Sequence, residues 1–143
     1  MPCRYFSPSI RPKASEKHYI CIYVTDSYMI IENLDIVKRL IDEKENGQVE
    51  FKETTGQLER GMETLCAFLN GNGGTVLFGV NDKGKIIGQE VSDKTKRDMA
   101  EAINRLEPVA MVRISYAPLP DSEKKVIIFR VEDSTLNRRF CYK

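Results

Sequence analysis

A glycine-rich break at residues 70–74, Asn-Gly-Asn-Gly-Gly, constrains this chain more than any other feature. It follows a segment with apolar residues at helical spacing, about 56–69, and precedes an apolar run at 75–80. Because glycine adopts left-handed backbone conformations readily, the break predicts a helix C-cap that turns the chain into a buried strand. A phosphate-binding P-loop has the opposite order, a strand, then glycines, then a helix. A close approach of this backbone to a ligand is the alternative.

Helical and strand patterns alternate on both sides of this break. The predicted elements are a helix capped by Asn33 that runs to about Lys44, a strand at 48–52, a helix at 56–69, a strand at 75–80 that returns at 85–88, a helix at 92–106, a hairpin formed by 112–116 and 125–131, and a short strand at 140–143. This order predicts an α/β (α+β) fold, a single mixed-sheet domain with about three helices and two β-hairpins.

The first 28 residues differ from the rest of the chain. They hold Pro2, Pro8 and Pro12, and they include the single histidine, His18. A more regular pattern begins at Met29. We therefore expect residues 1–28 to be an N-terminal arm or extension and residues 29–143 to form the domain.

Charge and cysteine spacing exclude several classes of protein. The 22 Lys and Arg residues nearly balance 21 Asp and Glu residues, so the net charge is +1 and the chain is no bulk polycation. No apolar run reaches the length of about 18 residues that spans a membrane, so we expect a cytoplasmic protein without a membrane partner. The four cysteines form no Cys-x-x-Cys pair, which predicts free thiols and no structural zinc site.

Three acidic residues form a candidate metal site. Glu45 and Glu50 flank the turn from the first helix into the first strand, and Asp82 lies in the turn after the apolar strand. If these two strands are neighbours, the three carboxylates can converge at one end of the sheet. Carboxylates around Mg²⁺ or Mn²⁺ are typical of phosphodiester hydrolysis. The alternative is that these are solvated acids near turns, with Asp82 favoured by turn chemistry.

Basic residues form a candidate nucleic-acid surface. Lys94, Lys96, Arg97 and Arg105 lie on the outer side of the third predicted helix. A second basic group lies at the C-terminal end of the chain, at Arg138, Arg139 and Lys143. Such residues can contact phosphates, which position a nucleic acid without reading its sequence. The alternative is a solvated helix face with ion pairs four residues apart.

Four sequence segments together resemble one known family. They are Gln48–Thr54 (QVEFKET), Cys66–Asn70 (CAFLN), Gly73–Asp82 (GGTVLFGVND) and Gly84–Gly88 (GKIIG). Their order and spacing resemble the Schlafen/AlbA-type DNA-binding domain, also called the divergent AAA-associated domain of bacterial transcriptional regulators. The resemblance runs from about Leu34 to the end of the sequence. It implies a mixed α/β domain.

The resemblance implies a nucleic-acid-binding module of a bacterial regulator, with no catalysis of its own and no firmly expected cofactor. DNA is the favoured partner over RNA, and Lys52 matches the lysine of the family pattern. The expected phosphate contacts are Lys52, Arg97, Arg105, Arg113, Arg138 and Arg139. Because members of the family continue into further domains, we expect the domain to be truncated at its C-terminus and an effector domain to be missing.

The resemblance also implies an alternative of a different class. Vertebrate Schlafen proteins cut tRNA and rRNA with an acidic triad, whose positions here are Glu45, Glu50 and Asp82. The alternative is therefore an endoribonuclease that acts on structured RNA with Mg²⁺ or Mn²⁺ held by these residues. Because the nuclease core of those proteins pairs two such lobes, a homodimer would be needed to rebuild the groove. A third hypothesis, an ATP-linked module, lacks a Walker lysine in a strand-to-helix loop.

Overall fold

The computed structural model describes residues 30–133 and 139–143, except for the side chains of Glu45 and Asn46. The N-terminal arm predicted at residues 1–28 lies outside the described residues, so this domain boundary stays a prediction. The helices are α1 (Leu34–Asp42), α2 (Leu58–Leu69) and α3 (Asp93–Asn104), and short 3-10 helices span Glu43–Asn46 and Thr55–Gln57. The strands are β1 (Val49–Lys52), β2 (Gly73–Phe78), β3 (Leu106–Glu107), β4 (Arg113–Pro118), β5 (Lys125–Glu132) and β6 (Cys141–Tyr142).

The helices begin at the residues that the capping patterns favour. The Asn33 side chain accepts a hydrogen bond from the Asp35 amide at 3.0 Å and caps α1. Ser92 and Thr95 form a reciprocal capping box at the start of α3. These local contacts satisfy amide groups that the first helical turn leaves without partners.

A four-stranded mixed sheet carries the domain, in the order β1-β2-β5-β4. Strands β1 and β2 are parallel neighbours, and both other pairings are antiparallel. The mixed α/β class is therefore confirmed, as is the expectation that the strand of Glu50 lies beside the apolar strand. Strands β3 and β6 form a separate two-stranded sheet.

Each face of the large sheet has its own core. The larger core packs α2 and α3 on one face, around side chains such as Met62, Phe78 and Phe129. The smaller core packs α1 on the opposite face, where Val37 meets Leu77 and neighbouring strand residues. Because strand side chains alternate between faces, both sides of the central strands β2 and β5 are buried.

Helix α2 ends at the glycine-rich break, as predicted, but its C-cap residue, Asn70, is right-handed with φ at −85°, and the left-handed residue of the break is Gly73. Helix α2 ends at Leu69, and the Asn70 amide donates to the Cys66 carbonyl at 3.2 Å. Gly73 then starts β2 with φ at +79°, and a Cβ atom there would lie 2.7 Å from the Val131 carbonyl oxygen. The position therefore requires glycine both for its backbone conformation and for the close approach of β5.

Two predicted elements differ from the observed ones. The segment at 85–88 does not form a ladder with β2, because the chain bends at Gly79, whose carbonyl accepts from the amides of Ile87 and Gly88. Only an isolated bridge joins Val80 to Ile86 there. The predicted helix at 92–106 ends at Asn104, because Leu106–Glu107 pairs with Cys141–Tyr142 as a strand.

Candidate functional site

Glu50 and Lys52 form an ion pair on the edge strand β1. Val49 and Phe51 point into the core beneath α1, so the alternating residues Glu50 and Lys52 lie on the opposite face. The Lys52 ammonium lies 2.6 Å from Glu50 Oε1, and the lysine side chain is only 12% exposed. Lys52 is therefore largely shielded from solvent and already paired with Glu50, which makes it a poor phosphate contact.

Lys44 brings together the segments that carry the three predicted acids. Its ammonium donates to the Asp82 carbonyl oxygen at 3.2 Å and lies 4.3 Å from the centre of the Phe51 ring. Lys44 directly precedes Glu45, and Phe51 directly follows Glu50. The backbone segments therefore meet, although Glu50 lies on the face of β1 opposite to Phe51.

Glu50 and Asp82 are the two predicted carboxylates whose side chains the structure describes. Asp82 is exposed in a turn that the Asn81 side chain organises, by accepting from the amides of Lys83 and Lys85 at 3.0 and 2.9 Å. Within residues 30–133 and 139–143, no three His, Cys, Asp or Glu side chains form a group suited to a metal ion. Because the Glu45 side chain lies outside the description, the triad stays a prediction.

Arg105 fastens the C-terminal strand to α2. Its Nη1 lies 2.6 Å from Glu59 Oε1, its Nε donates to the Lys143 carbonyl, and its guanidinium lies 4.5 Å from the centre of the Tyr142 ring. The Tyr142 hydroxyl donates to Glu59 Oε2 at 3.0 Å. Burial and this hydrogen bond raise the pKa of Tyr142 to about 12. Arg105 is therefore occupied by internal contacts that a phosphate would have to break.

Asn70 holds the same C-terminal segment from the other side. Its Nδ2 donates to the Phe140 carbonyl at 2.9 Å, and its Oδ1 accepts from the Phe140 amide at 2.7 Å. Phe140 is buried. This latch places Phe140 against α2 and fixes the position of its neighbour Arg139, which is exposed.

The remaining predicted phosphate contacts on α3 and near the C-terminus fall into three cases. Arg97 is exposed and has no ion pair within the part of the chain that the structure describes, whereas Lys94 pairs with Asp98 at 2.7 Å. Arg138 lies outside the described residues. Lys143 pairs with Glu107 at 2.5 Å, and this contact raises the pKa of the lysine.

The two described cysteines, Cys66 and Cys141, are free, as predicted. Burial raises the pKa of the Cys66 thiol, with a smaller contribution from Cys141. Cys66 is therefore suited to packing in the core rather than to nucleophilic chemistry.

Arg113 and Arg130 lie directly opposite each other on β4 and β5. Arg113 contacts Glu132 at 3.7 Å, and these side chains are 58% and 83% exposed. Arg130 contacts Glu32 at 3.2 Å in a pair that is largely buried. Sequence reasoning missed Arg130, although its position as the single charged residue within the apolar run 126–131 was a usable signal.

These two arginines open onto a cleft of about 250 Å³ at the end of the sheet, which we call the arginine cleft. It is lined by Leu69, Val109, Ala110, Met111, Arg113, Arg130, Glu132, Asp133 and Phe140. Val109 is 50% exposed and Met111 is 73% exposed. The cleft is therefore lined by two arginines, by apolar residues that are partly open to water, and by the acidic residues Glu132 and Asp133.

No helix in the described ranges combines the length and the apolar character needed to cross a membrane.

Comparisons with known proteins identify a family and several similar solved structures. A family model described as "Schlafen, AlbA_2" matches residues 45–143, more than half of the chain. The crystal structure of the DIP2311 protein from Corynebacterium diphtheriae is similar with a TM-score of 0.47 and 16% sequence identity, over 75% of this chain and 23% of that one. The chain thus spans about a quarter of the length of that protein. A search of curated proteins finds no match.

Proposed function

Because this chain belongs to the Schlafen, AlbA_2 family, we propose that it binds DNA in preference to RNA, as a non-catalytic module of a bacterial transcriptional regulator. Family membership supports a nucleic-acid-related domain. With a net charge of +1, the chain offers no bulk positive field, so binding must come from a local group of cations. The arginine cleft is the group that the geometry favours.

The pairing of Arg113 and Arg130 across β4 and β5 is the observation that carries this proposal. An exposed ion pair such as Arg113–Glu132 is worth at most about 1 kcal/mol, so a phosphate can replace Glu132 at low cost. A guanidinium also binds phosphate in a bidentate manner. Lys52 and Arg105 make shorter contacts at 2.6 Å, which makes them less available to a ligand.

Binding measured over a range of salt concentrations tests the proposal. Fluorescence anisotropy compares a labelled DNA duplex and an RNA hairpin for the wild type, Arg113→Ala and the control Arg60→Ala, which removes an exposed arginine outside the cleft. We expect the affinity for DNA to fall as salt is added. A plot of the logarithm of the binding constant against the logarithm of the salt concentration should have a slope of about −0.9 for each phosphate contacted. Arg113→Ala should weaken binding and reduce that slope by about one, and Arg60→Ala should do neither.

Three results would contradict parts of this proposal. Affinity that does not change with salt would exclude phosphate contacts of any kind. Equal losses for Arg113→Ala and Arg60→Ala would place binding elsewhere than the arginine cleft. Tighter binding of the RNA hairpin than of the duplex would reverse the preference for DNA.

A metal-dependent endoribonuclease is the second candidate, favoured by the way Lys44 joins the segments of Glu45, Glu50 and Asp82. Its carboxylates would hold Mg²⁺ or Mn²⁺, which supplies an activated water and neutralises developing charge. Glu50 would exchange Lys52 for the metal ion, and a homodimer would complete a two-lobed groove.

Incubation with tRNA and Mn²⁺ tests this candidate, with the Glu50→Ala/Asp82→Ala double variant as the control. Metal-dependent cleavage by the wild type that the double variant lacks would overturn the non-catalytic proposal. Binding of nucleic acid without any cleavage would exclude the nuclease. Sedimentation of the protein with and without tRNA reports whether a dimer forms.

A further inference from the structure

We infer that the arginine cleft takes one unpaired nucleotide, with its phosphate on Arg113 and Arg130 and its base against the apolar wall of the cleft. This inference rests on the proposed function and deepens it, because it names single-stranded nucleic acid as the ligand class. The polar half, the apolar half and the carboxylate rim of the cleft each support the assignment.

The polar half holds two guanidinium groups at fixed positions. Arg113 and Arg130 are Cα partners across β4 and β5, so both side chains leave the same face of the sheet. Glu32 Oε1 contacts Nη1 of Arg130 at 3.2 Å, and the glutamate side chain is only 12% exposed. This buried contact orients the Arg130 guanidinium, and it leaves Nε and Nη2 without an ion-pair partner among the described residues. Arg113, with its longer contact to Glu132, is the more exposed of the two, at 58% against 28% for Arg130.

The apolar half exposes hydrophobic area that a base would cover. Met111 and Val109 are 73% and 50% exposed, whereas most large apolar side chains of the described chain are buried. The Met thioether packs favourably against aromatic rings. Phe140 also lines the cleft, and the Asn70 latch holds its backbone in place.

The size of the cleft suits one base rather than a larger ligand. Its volume of about 250 Å³ exceeds the roughly 150 Å³ that admits a benzene ring in a protein interior. It is below the roughly 300–1,000 Å³ of sites that enclose drug-sized molecules. A single heterocycle with its adjacent phosphate therefore matches both the volume and the division of the cleft into apolar and cationic halves.

The carboxylate rim distinguishes a single strand from a duplex. Glu132 and Asp133 line the cleft beside the arginines, so a duplex backbone, with phosphates at regular intervals, would bring further negative charge against them. A base inside a duplex is stacked on both faces by its neighbours, whereas an unpaired base has a free face that can lie against Met111 and Val109. The cleft therefore favours an unpaired nucleotide over a base pair.

A direct comparison of single-stranded and duplex DNA tests this inference. Anisotropy measures binding of one 12-residue oligonucleotide, alone and as its blunt duplex, to the wild type, Met111→Ala, Arg113→Ala and the control Ile31→Ala. Ile31 is 54% exposed and does not line the cleft. We expect the single strand to bind more tightly, and Met111→Ala to lower its affinity about fivefold, the lower end of the loss of a stacked base. Duplex affinity should not change in Met111→Ala, and Arg113→Ala should weaken both ligands.

A base analogue gives a second readout at the same site. An oligonucleotide carrying 2-aminopurine should change its fluorescence on binding to the wild type, because the base moves from a stacked strand into the cleft, and the change should shrink in Met111→Ala. Equal affinity for strand and duplex, or equal losses for Met111→Ala and Ile31→Ala, would overturn the inference while leaving the proposed function standing. Absence of binding to either form would overturn the proposed function itself.

Discussion

Replacing Asn70 with alanine tests whether the latch on Phe140 holds the C-terminal segment in place. The Asn70 side chain makes two hydrogen bonds to the Phe140 backbone, at 2.9 Å from Nδ2 and at 2.7 Å to Oδ1. Alanine removes both partners at once and leaves the amide and the carbonyl of a buried residue without them. The same change loosens one wall of the arginine cleft, since Phe140 lines it.

The expected cost follows from these two contacts. A buried polar group that loses its partner costs about 1–3 kcal/mol, and because Asn70 itself is exposed, water can reach part of the gap. We therefore expect a loss of about 2 kcal/mol in the free energy of unfolding. The entropy of unfolding is about 2.1 cal/mol/K per residue, or about 0.23 kcal/mol/K for the 109 described residues. The Tm should fall by about 9 °C.

Thermal and urea unfolding followed by circular dichroism measure this loss. Asn72→Ala is the matched control, since Asn72 is exposed in the same turn and has no side-chain hydrogen bond within the described residues. The control should stay within about 0.5 kcal/mol of the wild type. Asn70→Asp should also destabilise, because it keeps the acceptor but sets a negative charge against the Phe140 carbonyl. An Asn70→Ala variant as stable as Asn72→Ala would refute the latch.

Three further predictions concern packing, titration and helix capping. Gly61→Ala should lower the free energy of unfolding by up to about 2 kcal/mol, because its Cβ would lie 2.6 Å from the buried Phe78 ring. Overpacking of about 1–3 kcal/mol opposes the helix-propensity gain of about 1 kcal/mol. A variant that is more stable than the wild type in urea unfolding would contradict this. Burial and the hydrogen bond to Glu59 raise the pKa of Tyr142 to about 12 in the folded protein, against about 10 when unfolded, so its contribution to stability is complete below pH 10 and is lost as the pH rises to 12. Tyr142→Phe should flatten that alkaline decline in stability. An unchanged slope would count against the burial and the Glu59 contact that raise this pKa. Ser92→Ala should lower the free energy of unfolding by about 1 kcal/mol, because it removes the capping box of α3. Ser92→Asp should lower it less, because aspartate can also cap a helix. Equal losses of stability for the two variants in chemical denaturation would contradict the cap.

Local signals in the sequence were sufficient for the elements that position β1 and β2. Asn33 marks the start of α1, the break after Leu69 marks the end of α2, and alternation at Val49 and Phe51 marks the buried face of β1. Because these features depend on residues that are close in the sequence, they can be predicted without knowledge of the tertiary structure.

The features that the sequence did not reveal depend on distant partners. Leu106–Glu107 became a strand because Cys141–Tyr142, more than 30 residues later, supplies its hydrogen bonds. A strand of two residues is too short to show an alternating pattern, so the predicted helix was extended beyond Asn104. Arg130 was missed for the same reason, because its significance arises from its position opposite Arg113 on another strand.

The state of each ion pair explains why a count of basic residues is a poor guide to the ligand surface. Lys52, Arg105 and Arg113 were predicted together as phosphate contacts, and each has a carboxylate within 4.0 Å. Lys52 is 12% exposed and 2.6 Å from its partner, so removing that partner leaves a charge that water hardly reaches. Arg113 is 58% exposed and 3.7 Å from Glu132. Replacing that carboxylate with a phosphate therefore changes the hydration of the guanidinium group little. Among these three paired residues, the cation with the most weakly held counter-ion is the most available to a polyanion, and this criterion selects Arg113 in the arginine cleft over Lys52 and Arg105, which the fold uses for its own contacts.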